Sequence, residues 1–248
     1  MPAKYWYGRI RGTLEPELDL LHLLVKPGDR AVDVGGNRGV YAYKLWKLGC
    51  RVEVFEPNPV CCGVLASWLR GRERVRLHPV ALSSSEGQAE LHIPVDAAGI
   101  EHDASASLEH EFDGFRNQTV SVRTLDSFGY EDAAFIKIDV EGHEQSVLAG
   151  AERTLETSAP ALLVEVEQRH NKQPIDRIFA HIEGKGYRGY FLDPVKGGLR
   201  PLREFDPTSD QAPLQFGSTG ARYINNFLFL HGRRRTQGYY AGLGGLDP

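Results

Sequence analysis

Ala31-Val32-Asp33-Val34-Gly35-Gly36-Asn37-Arg38-Gly39 is the stretch that decides the fold. An apolar run carrying one carboxylate breaks into a glycine-rich turn, and helix-forming sequence follows. In such a unit backbone N–H groups reach a ligand with no Cβ atoms in the way. A second apolar segment, Arg51–Phe55, runs into Glu56, an acidic residue placed where ribose hydroxyls would lie. The pairing predicts a nucleotide-like ligand. A dinucleotide fingerprint, G-x-G-x-x-G, is not met, because Asn37 and Val40 fill its second and third glycine positions when counted from Gly35.

The spelling is instead D-x-G-x-N-x-G, with Asp33 still on the strand. A carboxylate on the lip of the turn does not suit a pyrophosphate. It suits a ligand with an ammonium and a sulfonium. S-adenosylmethionine combines these charges with a ribose, so the expected cofactor contacts are Asp33, Gly35, Gly36, Asn37 and Gly39 at the turn, and Glu56 with Pro57 at the ribose. Ala81 and Leu82, just past the third strand, are expected beside the adenine.

Outward from this unit, strands and helices alternate. Strands are predicted at 30–34, 51–55, 75–79, 134–139, 161–167, 187–192 and 223–230, and helices at 39–47, 59–69, 142–155 and 174–185. The expectation is an α/β fold: a mostly parallel seven-stranded sheet with helices on both faces. Residues 84–124 break the rhythm with two strand-like runs, 88–94 and 118–124, and are expected to form a β-insertion with a lid at 96–113. Residues 1–29 are expected as an N-terminal segment with a helix near Glu15–Val25, 30–231 as the catalytic domain, and 232–248 as a flexible tail.

The chain has 248 residues, 41% hydrophobic and 25% charged, with a net charge of −4. These values suit one soluble domain and argue against a large nucleic-acid footprint. No apolar run is long enough to cross a membrane. The opening Met1-Pro2-Ala3-Lys4-Tyr5-Trp6 lacks an apolar leader, so a cytoplasmic protein is expected. Cys50, Cys61 and Cys62 form no spaced metal pairs and are expected reduced, in the first two helices. Arg233-Arg234-Arg235 reads as a solvated run. A homo-oligomer is compatible with all of this.

Ligands in open parallel sheets bind outside the carboxyl ends of the strands. Acidic residues gather there: Asp139 and Glu141 after the fourth strand, Glu165 and Glu167 on the fifth, the latter two predicted on one side of the sheet by their spacing. Methyl transfer to a hydroxyl needs positioning of the acceptor and removal of its proton. Asp139 stands where cofactor and acceptor should meet. His143, expected in the first turn of a helix whose dipole keeps the ring neutral, and His170 are rival bases. Asp139, Glu141, Glu165 and Glu167 would orient the acceptor and the base, or hold a hard cation such as Mg²⁺. Helix capping is the plainer role for Glu141 and Glu144.

Together these segments resemble the FkbM-type S-adenosylmethionine-dependent methyltransferases. The resemblance rests on Val32–Gly39, Phe55–Pro59, Val80–Ser83, Thr124–Ser127, Ile136–Glu144, Leu163–Glu165 and Asn226–Phe229, in order along the chain. It implies a Rossmann-like class I methyltransferase fold and O-methylation of sugar or polyketide hydroxyls. It also implies cofactor roles for Asp33, Gly35, Asn37 and Glu56, and an active-site position for Asp139 and Glu141. Gly36 departs from the family's more frequent alanine and is expected only to loosen the turn. The acceptor expected is therefore a small-molecule or glycan hydroxyl. A nucleic-acid methyltransferase is the first alternative. Base-amino enzymes tend to carry N/D-P-P-Y/F after the fourth strand, where this chain has Asp139-Val140-Glu141-Gly142, and carbon-5 enzymes need a cysteine there. A nicotinamide-binding oxidoreductase is the second, disfavoured by the glycine spacing.

Overall fold

The computed structural model describes residues 14–95, 106–109, 114–212, 223–244 and 246. Among the described residues eleven strands form two sheets: β1 (Arg30–Val34), β2 (Arg51–Phe55), β3 (Val75–His78), β4 (Ala81–Leu82), β5 (Gly87–Pro94), β6 (Phe115–Arg123), β7 (Ala133–Ile138), β8 (Ala161–Glu165), β9 (Tyr187–Leu192), β10 (Leu199–Pro201) and β11 (Asn226–His231). The helices are α1 (Leu21–Leu24), α2 (Val40–Lys47), α3 (Pro59–Leu69), α4 (Glu144–Ala149), α5 (Glu152–Ser158), α6 (Asp176–Glu183), α7 (Pro207–Asp210) and α8 (Gly232–Thr236). The main sheet runs β10-β9-β11-β8-β7-β1-β2-β3, and β4-β6-β5 make the second. Strands β3, β2, β1, β7 and β8 are parallel; β11 lies antiparallel between β8 and β9.

The sheet is apolar on both faces because the crossover helices cover both. Leu21, Leu45, Leu65 and Trp68 pack with Ala31, Phe135, Leu163 and Leu228 on one side. Val147, Leu155, Ile178 and Ile182 pack with Val32, Val34, Ile136 and Phe229 on the other. Each fully buried side chain of this size contributes about 1.5–3 kcal/mol. Strand alternation then fixes what stands at the carboxyl ends. The face that carries Ala31, Phe135, Leu163 and Leu228 continues, two residues on along each strand, into Asp33, Lys137 and Glu165. Asp33 pairs in register with Lys137, and Glu165 with Asn226, so an apolar face ends in a polar row.

Five expectations need correction. The main sheet has eight strands rather than seven, because Leu199-Arg200-Pro201 adds a short antiparallel edge beside β9. The helix foreseen at 142–155 is two helices: the Asp126 carboxylate accepts the N–H groups of Arg153 (2.9 Å) and Thr154 (2.8 Å) and starts α5 afresh. The segment near Glu15–Val25 is a 3₁₀ turn, Pro16–Asp19, followed by one turn of α-helix. Residues 232–248, expected loose, begin with α8 and bury Tyr240 and Leu243 in the core; Arg234, expected solvated, donates to the carbonyls of Ala133 and Ser158. Cys50 lies at the turn into β2, outside any helix, and all three cysteines are free. Residues 96–105 and 110–113 of the foreseen lid, and 1–13 of the N-terminal segment, lie outside the described residues. Among the described residues no helix is long and apolar enough to cross a membrane.

Candidate active site

At the end of β1 the turn is shaped by close approach. Gly35 and Gly36 both donate to the Phe55 carbonyl, at 2.9 and 3.1 Å, which pins the turn to the tip of β2. Gly35 has φ +76° and faces the Asp139 carbonyl so closely that a Cβ would sit 1.8 Å from its oxygen. Gly36 is also tight, since a Cβ there would lie 2.3 Å from Val54 Cγ1. The Gly36 departure therefore fits closer packing rather than a looser turn. Asn37 takes a left-handed conformation, φ +46°, and Gly39 caps α2 at φ +76°. Glu56, buried at the end of β2, accepts from the N–H groups of Asn37 (2.6 Å) and Asn58 (2.8 Å).

Beside this turn opens a pocket of about 610 Å³. Val34, Glu56, Pro57, Ala81 and Leu82 border it on the sheet side, and Leu91, Ala106 and Leu108 of the insertion close it above. A second cavity of about 740 Å³ shares Gly35, Asn37, Asp139 and Glu141 with the first. Its walls include Glu15, Asp33, Tyr41, Lys137 and Glu165. Asp139 stands at the junction, its N–H held by the Val34 carbonyl at 3.0 Å.

The second cavity is built around Lys137. The ammonium is 1% exposed, donates to Asn226 Oδ1 at 2.9 Å, and lies 3.8 Å from Asp139 and 3.6 Å from Glu165. Burial would deprotonate it, but these carboxylates with Glu15 and Asp33 hold it charged. Asp139 and Glu165 hydrogen-bond each other. Burial first raises both carboxyls: Asp139, with repulsion from Glu141 and Glu15, to about 6, and Glu165, with repulsion from Asp139, to about 9, while Lys137 opposes both shifts. The pair behaves as one proton-sharing unit. Asp139 keeps 31% of its side chain open to the cleft, so solvent softens its shift. Asp33 is 2% exposed, its Oδ2 has no hydrogen-bond partner, and burial pushes its carboxyl up to about 7. Glu15 Oε2 accepts from Tyr41 (2.6 Å) and Asn226 (3.2 Å), which ties the segment before α1 to this wall.

The remaining expected site residues are distributed around the rim. His143 caps α4 rather than entering its first turn, and both ring nitrogens are engaged, by Glu109 at 2.7 Å and Ser83 at 2.9 Å. It sits on the side of the first pocket and fastens the insertion to the sheet. Ser107 donates to the Glu141 carbonyl at 2.7 Å, a second fastening. Glu141 has φ +51°, a strained conformation for a non-glycine residue, and its carboxylate meets His170 Nδ1 at 2.8 Å. That contact raises the pKa of His170. Glu144 accepts from Gly142 N at 2.8 Å, the capping role, and is buried and pushed up to about 7. β8 ends at Glu165, so strand alternation stops before Glu167, which is engaged by Arg169 and Tyr223. Asp139, Glu141 and Glu165 thus border one cavity, whereas Glu167 and His143 point to other partners. Among the described residues no group of three or more His, Cys, Asp or Glu side chains is arranged to hold a metal ion, so the Mg²⁺ alternative gains no support.

Lys137, Glu15, Tyr41 and Asn226 also belong to the site, although no sequence motif marked them as functional. Lys137 was legible: a lysine inside Phe-Ile-Lys-Ile, two residues before Asp139, shares its side of the strand with that carboxylate. Glu15 and Asn226 lie 211 positions apart, and no local pattern joins them.

A profile of the methyltransferase FkbM domain matches residues 33–188. The chain is 30% identical over 162 residues to the 2-O-methyltransferase NoeI of Sinorhizobium fredii (strain NBRC 101917 / NGR234), a match covering 58% of this chain and 65% of NoeI, under two thirds of that relative. Its fold is similar to that of the methyltransferase FkbM from Methylobacillus flagellatus KT, with a TM-score of 0.53 and 18% identity over 83% of this chain and 44% of that one. The architecture is the Rossmann-like class I methyltransferase fold. The matched stretch starts at Asp33 on β1, runs through the Gly35 turn, Glu56 and the Lys137–Asp139 wall, and ends on β9: the chain belongs to the FkbM methyltransferase family.

Proposed function

We propose that this protein transfers a methyl group from S-adenosylmethionine to a hydroxyl of a small metabolite or glycan, of sugar or polyketide type. The carrying observation is the meeting of two unlike cavities at Asp139: one apolar with Glu56 at its end, one acidic and built on Lys137. The residues fit the cofactor. Gly35 and Asn37 line the first pocket beside Glu56, Glu56 would face the ribose hydroxyls, and the unpartnered Asp33 oxygen would be an anionic acceptor for an ammonium. Leu82, Leu91 and Leu108 would clasp the adenine. Bound there, S-adenosylmethionine supplies the electrophilic methyl carbon.

The protein's part is binding, orientation and proton removal. Asp139, at the junction, accepts the proton of the acceptor hydroxyl as its oxygen attacks. Glu165 holds Asp139 by their shared hydrogen bond, and Lys137, fixed by Asn226, stabilises the negative charge of the pair. Glu141, kept in place by His170, borders the acceptor path, and Glu167 steadies the turn that carries His170. General base help of this kind is worth roughly 10²–10⁴-fold. His143 acts through the insertion it fastens. The experiment is calorimetry with S-adenosylhomocysteine, followed by transfer of a labelled methyl group to a panel of sugars and small polyols. Binding and hydroxyl-directed labelling are expected. Absence of binding, or preferential binding of a nicotinamide dinucleotide, would overturn the proposal.

A further inference from the structure

The insertion does more than roof the first pocket. Ser107, between the pocket-lining Ala106 and Leu108, is 1% exposed and exchanges both backbone hydrogen bonds with His92 of β5, at 2.9 and 3.0 Å. Its hydroxyl is used twice, donating to the Glu141 carbonyl at 2.7 Å and accepting the Glu109 N–H at 3.1 Å. Glu109 in turn meets His143 Nδ1 at 2.7 Å. The insertion is thus pinned at two points to the loop that runs from Asp139 to His143.

The residue at the far end of the Ser107 pin is under strain. Glu141 has φ +51° and Gly142 φ +98°, so the loop turns through two left-handed residues, of which only the glycine is at home there. A glutamate keeps such a conformation only where its surroundings hold it. Here the hold comes from both sides, with Ser107 on the carbonyl and His170 Nδ1 on the carboxylate at 2.8 Å. Relaxing φ to the right-handed side would re-aim the Cα–Cβ bond and take the carboxylate off His170. Glu141 borders both cavities, so its conformation matters to each.

We propose that Ser107 is a positioning residue that links the two cavities, holding Glu141 left-handed so that its carboxylate is set against His170 beside the acceptor path. A cofactor packed under Leu91 and Leu108 holds the insertion down, and the Ser107 hydroxyl passes that hold to Glu141. This rests on the reading of the first pocket as the S-adenosylmethionine site. The coupling runs both ways: a change that loosens the insertion weakens cofactor binding and frees His170 together.

His170 reports the link without any acceptor. Its hydrogen bond with Glu141 is the first cause of its raised pKa; burial and Arg169 oppose the rise, and Glu167 adds to it. The His170 ring resonance, identified by its loss in His170→Gln, is titrated in the full chain with and without S-adenosylhomocysteine, and calorimetry gives the affinity. Ser107→Ala should weaken S-adenosylhomocysteine about 3–10-fold, the scale of one lost hydrogen bond. In the ligand-free variant the His170 midpoint should shift down from wild type, and saturating ligand, by pressing the insertion back, should return it most of the way. A merely structural role for Ser107 would lower stability and leave that midpoint in place. Glu109→Ala cuts the other pin at a half-exposed side chain and should move both readings the same way, so it decides the matter if Ser107→Ala does not fold. An unmoved midpoint or an unchanged affinity in the deciding variant overturns the link. Failure of the wild type to bind S-adenosylhomocysteine at all would instead sink the methyltransferase reading, a separable result.

Discussion

Asp33→Asn should make the ligand-free protein more stable at neutral pH and, in the same molecule, weaken its hold on the cofactor. Burial raises the Asp33 carboxyl from 3.8 to about 7. A tenfold change in proton affinity corresponds to about 1.4 kcal/mol, so ionised Asp33 destabilises the empty fold by up to about 4 kcal/mol. The sign follows from where protons bind. Below pH 3.8 the carboxyl is protonated in folded and unfolded chains alike, and there is no penalty. Between there and about 7 the folded state binds more protons, so stability falls as pH rises, and above 7 the penalty is complete. Asparagine keeps the shape and removes the charge, but its amide N–H groups need partners in a site that is 2% exposed, a cost of about 1–3 kcal/mol. The net gain expected at pH 8 is about 1–3 kcal/mol, shrinking toward zero or below near pH 4. Loss of the carboxylate should weaken S-adenosylhomocysteine binding by about 10–100-fold, the scale of a hydrogen bond to a charged group. Denaturant unfolding at pH 5 and 8, with and without S-adenosylhomocysteine, measures both. A variant less stable than wild type at pH 8 that binds the ligand unchanged would refute this account of Asp33.

Glu56→Ala should weaken S-adenosylhomocysteine binding by about 1–3 kcal/mol, and Glu56→Gln by less, because it keeps one acceptor oxygen; unchanged affinity by calorimetry would remove Glu56 from the ribose site. Gly35→Ala forces a Cβ against the Asp139 carbonyl at φ +76°, so it should abolish measurable binding and cost at least about 2 kcal/mol of stability in thermal unfolding. Asp139→Asn should lower kcat by about 10²-fold or more while leaving S-adenosylhomocysteine affinity within a few-fold; equal loss of both would place Asp139 in the cofactor site. In the wild type, kcat/KM should fall as pH drops through about 6, where Asp139 takes up its proton and ceases to be a base, and the variant should lack that acid limb.

Much of this molecule is written in short runs of its chain. Apolar segments of strand length, separated by helix-length segments, predict the parallel sheet, and the Asp33–Gly39 turn with Glu56 marks the ligand-binding edge, because both signals are local and periodic. The boundaries that failed were decided by partners far away. Asp126 splits the helix foreseen at 142–155 by capping α5 from 27 positions upstream of Arg153, and Tyr240 anchors a tail whose composition looks loose. The acidic residues near the strand ends were visible as a set, but their sorting was not. Only packing sends Glu167 to Arg169 and Tyr223, engages both nitrogens of His143, and gathers Glu15, Tyr41 and Asn226 around Lys137. Hydrophobic periodicity acts over a few residues, whereas a buried charge takes whichever counter-charge the completed fold brings within about 4 Å. Sequence therefore determined the scaffold and the turn proposed to hold the cofactor, and tertiary structure decided the electrostatics of the wall beside it.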